Sequence, residues 1–257
     1  IYEEIDRELC RRMGVECKPA SWQAIDAEIM KRLLDDLVEA AGVRVLFGVK
    51  VCEAEVEDGR IRAIWAATAQ GIHRITGGRV TAVEVENKSG RLTLEADYFI
   101  DATGDGMLAM LAGVEFEYGD EAGNTMSPPL CAQYANIDYK KYEEACRNGN
   151  SDRAIWLRML QAGTAPLVEH HFVWMTRMSL ATATSNLGHI YGCNVLDPDD
   201  LTRGYMEGRR VVRTFETFYR EQVPGFENAV LVSTASLLGV RETRRIRGEY
   251  RMTFDDY

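Results

Sequence analysis

The sequence predicts a mixed α/β fold, of the α+β kind, and three observations predict it. A long amphipathic helix leads into the apolar run Val43–Phe47. Segments of alternating character follow, broken by turn pairs. A second apolar run then ends in Gly104-Asp105-Gly106, ahead of a short helix. With 257 residues, 46% apolar and 27% charged, the chain has the ordinary globular mix and can bury a sizeable core. Two domains are expected, over 1–113 and 114–257.

Each element has its own signal. Residues 1–13 read as a charged helix. Ser21 is the expected N-cap of the next, in which Trp22, Ile25, Ile29, Leu33, Leu37 and Val38 recur three or four apart on one apolar face. Gly42 supplies its C-cap, and 43–47 follow as a buried strand. Helix into buried strand is half of a βαβ unit and implies a parallel sheet. Strands over 49–57, 60–67, 79–86 and 91–95 are expected as a β-meander, with turns at Asp58-Gly59, Gly77-Gly78 and Lys88-Ser89-Gly90. Tyr98–Gly106 reads as a buried strand and a tight turn, with a helix over 107–112. Further strands are expected over 115–118, 133–137, 168–175, 188–195 and 248–252. Asp197 caps a long helix with Pro198 in its first turn, which runs to Gln222 and stops at Pro224-Gly225.

Charge and cysteine usage narrow the function. Forty acidic against thirty basic side chains give a net charge of −10, which argues against a nucleic-acid surface. No apolar run reaches the about 18 residues that a membrane helix needs. Cys10, Cys17, Cys52, Cys131, Cys146 and Cys193 are scattered without a C-x-x-C, so a reducing, cytoplasmic setting is expected and no metal site is assigned. His170-His171 would point to opposite faces of a strand and cannot share a metal there.

Gly104-Asp105-Gly106-Met107-Leu108-Ala109 satisfies G-x-G-x-x-A after a strand and before a helix, the context of a dinucleotide fingerprint. An NAD(P)-linked dehydrogenase is therefore one reading. The following helix is short, and the nearest acids, Asp120 and Glu121, lie in a turn-like Gly119–Gly123 rather than at a strand end.

A second reading comes from resemblance. The segment Ile100-Asp101-Ala102-Thr103-Gly104-Asp105-Gly106, followed by Ala112-Gly113-Val114-Glu115-Phe116-Glu117, resembles the second nucleotide motif of FAD-dependent oxidoreductases. Pro224–Ala229 and Gly239–Tyr250 (GVRETRRIRGEY) are similar to two further blocks of that family. The resemblance spans about residues 22–252. It implies a Rossmann-like FAD-binding domain with an inserted β-meander, followed by an α+β substrate or cap domain. It also implies that the glycine-rich unit holding the FAD pyrophosphate lies upstream of these residues. The helix at 1–13 has no start signal ahead of it, so an interior piece of a longer chain is expected.

The resemblance further implies that Lys50 and Val51 pass the adenine, that Ala102, Thr103 and Gly104 pack against FAD, and that Asp105 and Gly106 complete the turn. Asp105 has an alternative use, capping the short helix. Arg241, Arg244, Arg245, Arg247 and Arg251 crowd one short stretch. Guanidinium groups pair bidentately with carboxylates and phosphates, which makes Arg241 and Arg244 candidates for a substrate or flavin anion. No catalytic base stands out. The expected function is flavin-mediated hydride or electron transfer on a small, anionic molecule, with no nucleic-acid or membrane partner. A non-catalytic cap or interaction module is the reading from another class.

Overall fold

A computed structural model describes residues 2–17, 25–45, 47–48, 50–57, 60–68, 71–73, 83–87, 90–94, 100–111, 114–167 and 174–256. In chain order these form α1 (Tyr2–Met13), α2 (Ala27–Ala40), β1 (Lys50–Glu57), β2 (Arg60–Thr68), β3 (Gly71–His73), β4 (Val83–Asn87), β5 (Gly90–Leu94), α3 (Met107–Leu111) and β6 (Phe116–Tyr118). There follow β7 (Ala132–Ala135), α4 (Tyr139–Arg147), α5 (Asp152–Gln161), β8 (Met175–Arg177), β9 (Ala183–Ser185), α6 (Pro198–Gln222), β10 (Val230–Thr234) and β11 (Arg244–Ile246), with a closing 3-10 turn. The fold is mixed α/β.

Two compact units emerge, and both are discontinuous: 1–44 with 127–241, and 45–126 with 242–257. The sequence reading instead places a single boundary at 113/114. The units differ because β11 returns over a long sequence distance to pair with β6, so the C-terminal stretch joins the residues before 127.

The first unit is built around a sheet of order β10-β7-β9-β8. Trp156 of α5 and Phe215, Phe218 and Tyr219 of α6 pack with Tyr134 and Phe226 in its core. Trp156 and Phe218 meet edge to face at 4.9 Å between centroids, a geometry that suits the ring quadrupoles. The α6 start matches the sequence signal, since Asp197 accepts from the amides of Asp199 and Asp200 at 3.0 and 2.8 Å. In α2 the cap is Asp26, which accepts from Glu28 and Ile29. Ser21 and Trp22 lie outside the described residues, and Ile25 is exposed ahead of the helix. Gly42 ends α2 as expected, with Val43 N bonded to Val38 O and Gly42 N to Glu39 O, both at 2.9 Å.

The second unit contains β1 to β5. Here β1-β2-β3 form one antiparallel sheet and β4-β5 a hairpin. The expected turn residues 58–59, 77–78 and 88–89 lie outside the described residues, as does the first half of the strand expected at 79–86.

Several expectations from the sequence do not hold. Residues 43–45, 47 and 100–102 form no strand, and Phe47 and Ile100 are 80% and 90% exposed. Every strand pair among the described residues is antiparallel. A buried parallel strand needs hydrogen-bonded neighbours and cover on both faces, and no described strand pairs with these segments. Residues 188–195 make only an isolated bridge, Pro129 with His189. The terminal strand falls at Arg244–Ile246 rather than 248–252, where the register with β6 fixes it. His170 and His171 lie outside the described residues.

Candidate functional site

The turn Asp101–Gly106 is held from within. One Asp101 carboxylate oxygen accepts from Thr103 N at 3.0 Å, the other from Ala109 N at 2.9 Å. The Thr103 hydroxyl accepts from Met107 N at 2.9 Å. Burial would push the Asp101 carboxyl up, but the Ala109, Thr103 and Leu108 amides outweigh it and hold the group below its ordinary value. Asp101 thus ties the turn to α3. It was not singled out from the sequence, where it reads as the end of an apolar strand; its Asp-x-Thr spacing before a helix was the available signal.

The candidate residues divide into two sets. Ala102, Thr103 and Gly104 are exposed. Gly104 has φ +78, and a Cβ built there meets nothing within 4 Å, so this stretch offers bare backbone. Asp105 and Gly106 instead engage the β11 segment. Thr243 donates to Asp105 Oδ1 at 2.6 Å, and Arg244 Nη1 to the Asp105 carbonyl at 3.4 Å. A Cβ on Gly106 would approach Ile246 Cδ1 to 2.7 Å. Asp105 does not cap α3, since Thr103 and Asp101 take that role.

Lys50 and Val51 open β1, paired with Ala67 and Ala66. A register shift follows between Val51 and Glu53. The α3 helix packs against β1, so the structure brings this strand and the turn's own helix together. Three sequence blocks therefore converge in one unit: the turn, β6 and β11. Their register sets Arg244 opposite Tyr118 and Ile246 opposite Phe116. The block Pro224–Ala229 belongs to the other unit, where Glu227 accepts from Gly225 N at 3.0 Å and pairs with Lys141 at 2.5 Å.

The arginines divide as well. Arg245 pairs with Glu242, Arg247 with Glu115 at 3.1 Å, and Arg251 with Glu117 at 3.4 Å. Arg244 is half-buried, its guanidinium 5.5 Å from the centroid of the Phe116 ring. Arg241 is exposed and makes no ion pair among the described residues. Burial pushes the Cys131 thiol up, and the charge of Arg241 opposes that rise.

The dinucleotide-fingerprint reading loses its donors in this geometry. A pyrophosphate at G-x-G-x-x-A needs the first amides of the helix, and those of Met107 and Ala109 are already satisfied within the turn. Asp120, one of the two acids close to the expected spacing, accepts from Ala122 and Asn124 amides at 2.9 and 2.8 Å in its own turn.

The family model described as FAD dependent oxidoreductase matches residues 1–257, and the chain belongs to that family. No curated protein and no solved structure matches it.

Proposed function

From that membership we propose that the protein is an FAD-dependent oxidoreductase whose Ala102-Thr103-Gly104 turn lies against the cofactor. The observation behind this reading is the exposed bare backbone at Gly104, fixed by Asp101 on one side and by Thr243 through Asp105 on the other. The residues fit such a role, because small side chains and an open Gly104 let a flat ligand approach main chain directly. The family's Rossmann-like architecture, with the meander as an insertion and a substrate or cap region after residue 113, belongs to the same proposal.

When bound, FAD supplies the hydride or electron chemistry in its ring system. The chain's own residues hold and orient. Asp101 fixes the turn to α3, and the turn presents main chain to the cofactor. The Lys50-Val51 backbone, in the strand that α3 packs against, lines the adenine end. Arg244 sets a positive charge beside the turn, where it favours an anion. Arg241, exposed and in no ion pair among the described residues, binds the carboxylate or phosphate of a small substrate. Asp105 and Gly106 act one step removed, by seating the turn on β11.

The test is to purify full-length protein without added flavin and read its visible absorption, before and after denaturation releases the cofactor. Released FAD supports the proposal. A colourless protein that also takes up no added FAD overturns it, and favours the interaction-module reading.

A further inference from the structure

Asp6 and Cys10 stand four residues apart on α1 and so share one face of the helix. At the helix end, Gly14 N donates to Arg11 O at 3.2 Å and Val15 N to Cys10 O at 3.1 Å. This reversal brings Cys17 back along the same face, where its thiol donates to Asp6 Oδ2 at 3.2 Å. A carboxylate oxygen of Asp6 and the sulfurs of Cys10 and Cys17 all lie within 4.8 Å of one another. Cys10 is buried, and Asp6 and Cys17 are half-buried, so the group is backed by protein on one side.

The two cations at the end of α1 are engaged elsewhere. Arg11 pairs with Glu8, and Arg12 with Glu8 and with Asp36. Among the described residues no Lys or Arg pairs with Asp6. One carboxylate and two thiols therefore converge, and no ion pair among the described residues takes up the carboxylate.

We propose that Asp6, Cys10 and Cys17 bind a divalent thiophilic cation, with zinc as the principal member of that class. Sulfur ligands select zinc over magnesium or calcium, and a mixed sulfur and carboxylate set suits its tetrahedral preference. Bonds of about 2.0–2.3 Å around tetrahedral zinc space the ligand atoms by roughly 3.3–3.8 Å. Small side-chain rotations close the present group to that size. As two Zn–S bonds form, two S–H bonds break and both protons leave to solvent, with no change of oxidation state. Three protein ligands leave the fourth position to water. Two thiols alone would equally suit a disulfide; the carboxylate held against Cys17 is the feature that a disulfide does not use. The spacing D-x3-C-x6-C lacks the close pair that marks zinc sites in sequence, which is why only the fold shows it.

The test uses reduced, chelator-stripped full-length protein titrated with cobalt(II) and then zinc. A single equivalent should bind, giving thiolate-to-cobalt charge-transfer absorption that zinc abolishes. Cys17→Ser should weaken binding by at least the ~100-fold that loss of an outer-shell partner can cost, and should diminish the band. Asp6→Asn should weaken binding while keeping the band. Cys10→Ser risks the fold because Cys10 is buried, so the conclusion rests on Cys17→Ser, with circular dichroism to show that the helices persist. Cobalt uptake without the band, or unchanged affinity in Cys17→Ser, would overturn the proposal. So would reduced protein that binds no metal while its Cys10 and Cys17 join in air.

Discussion

The Thr243 hydroxyl donates to the Asp105 carboxylate at 2.6 Å, joining residues 138 apart in the sequence. Thr243 is 3% exposed, so water does not replace this bond when it is lost. Replacement by Val, which keeps the shape, should cost roughly 1–3 kcal/mol in urea unfolding. A double-mutant cycle with Asp105→Ala, which removes the acceptor, should show coupling above about 0.5 kcal/mol. Additive losses would mean that the bond does not tie the turn to β11.

Asp101 predicts a pH signature. Amide donors hold its folded-state pKa below the ordinary value. Its stabilisation is therefore complete above the unfolded carboxyl's pKa of about 4 and fades as pH falls through the lower folded value. Asp101→Asn should lose roughly 1–2 kcal/mol at neutral pH. The gap from the unsubstituted protein should close below about pH 4. Unfolding curves at several pH values check this, and a gap that stays constant into acid would rule out the charged acceptor.

The buried Asp152, 2% exposed, accepts from the hydroxyls of Tyr142 and Tyr219, both at 2.9 Å, and from Met175 N at 3.2 Å. Burial, with Asp152 alongside, pushes the Tyr219 hydroxyl well up, so it remains a donor. Asp152→Ala strands these donors at about 1–3 kcal/mol each and should cost roughly 3 kcal/mol or more. Asp152→Asn keeps an acceptor and should cost less. Thermal unfolding of the two variants would separate them, and equal losses would assign the effect to volume alone.

The arginine stretch should separate into two kinds. Arg251, 77% exposed on its side chain and paired with Glu117, should tolerate Ala with less than about 0.5 kcal/mol lost. Arg241→Ala should leave the fold intact and raise KM for an anionic substrate roughly 10–100-fold, the worth of one charged hydrogen bond. The change should fall on KM more than on kcat, since the contact exists before reaction. An unchanged KM would remove Arg241 from the substrate site.

What was legible in the sequence was local. Asp197-Pro198 marks the α6 start because cap and first turn are adjacent. The α2 end at Gly42 and the hairpins β1-β2 and β4-β5 are likewise set by neighbouring residues. Two helices were missed although Asp138 and Ser151 cap them, accepting from Lys141 N at 3.1 Å and Ala154 N at 3.2 Å. The α5 sequence gives little periodicity to read, and α4 is only nine residues long. The β6–β11 pairing was hidden because register between distant strands depends on tertiary placement. For the same reason the sequence left capping open as an alternative use of Asp105, where Asp101 and Thr103 serve and Asp105 instead meets Thr243.

Gly104 offers the most direct measurement. Gly104 and Gly123 belong to the same unit, with φ +78 and +80, and a Cβ on either meets nothing within 4 Å. Alanine at each pays a similar left-handed penalty of about 1–2 kcal/mol, so the two variants should lose similar stability. Their bound FAD, measured on full-length protein after purification, should differ. Gly104→Ala should lose most of its flavin while Gly123→Ala keeps it. Equal flavin content in the two variants would contradict the placement of this turn against the cofactor.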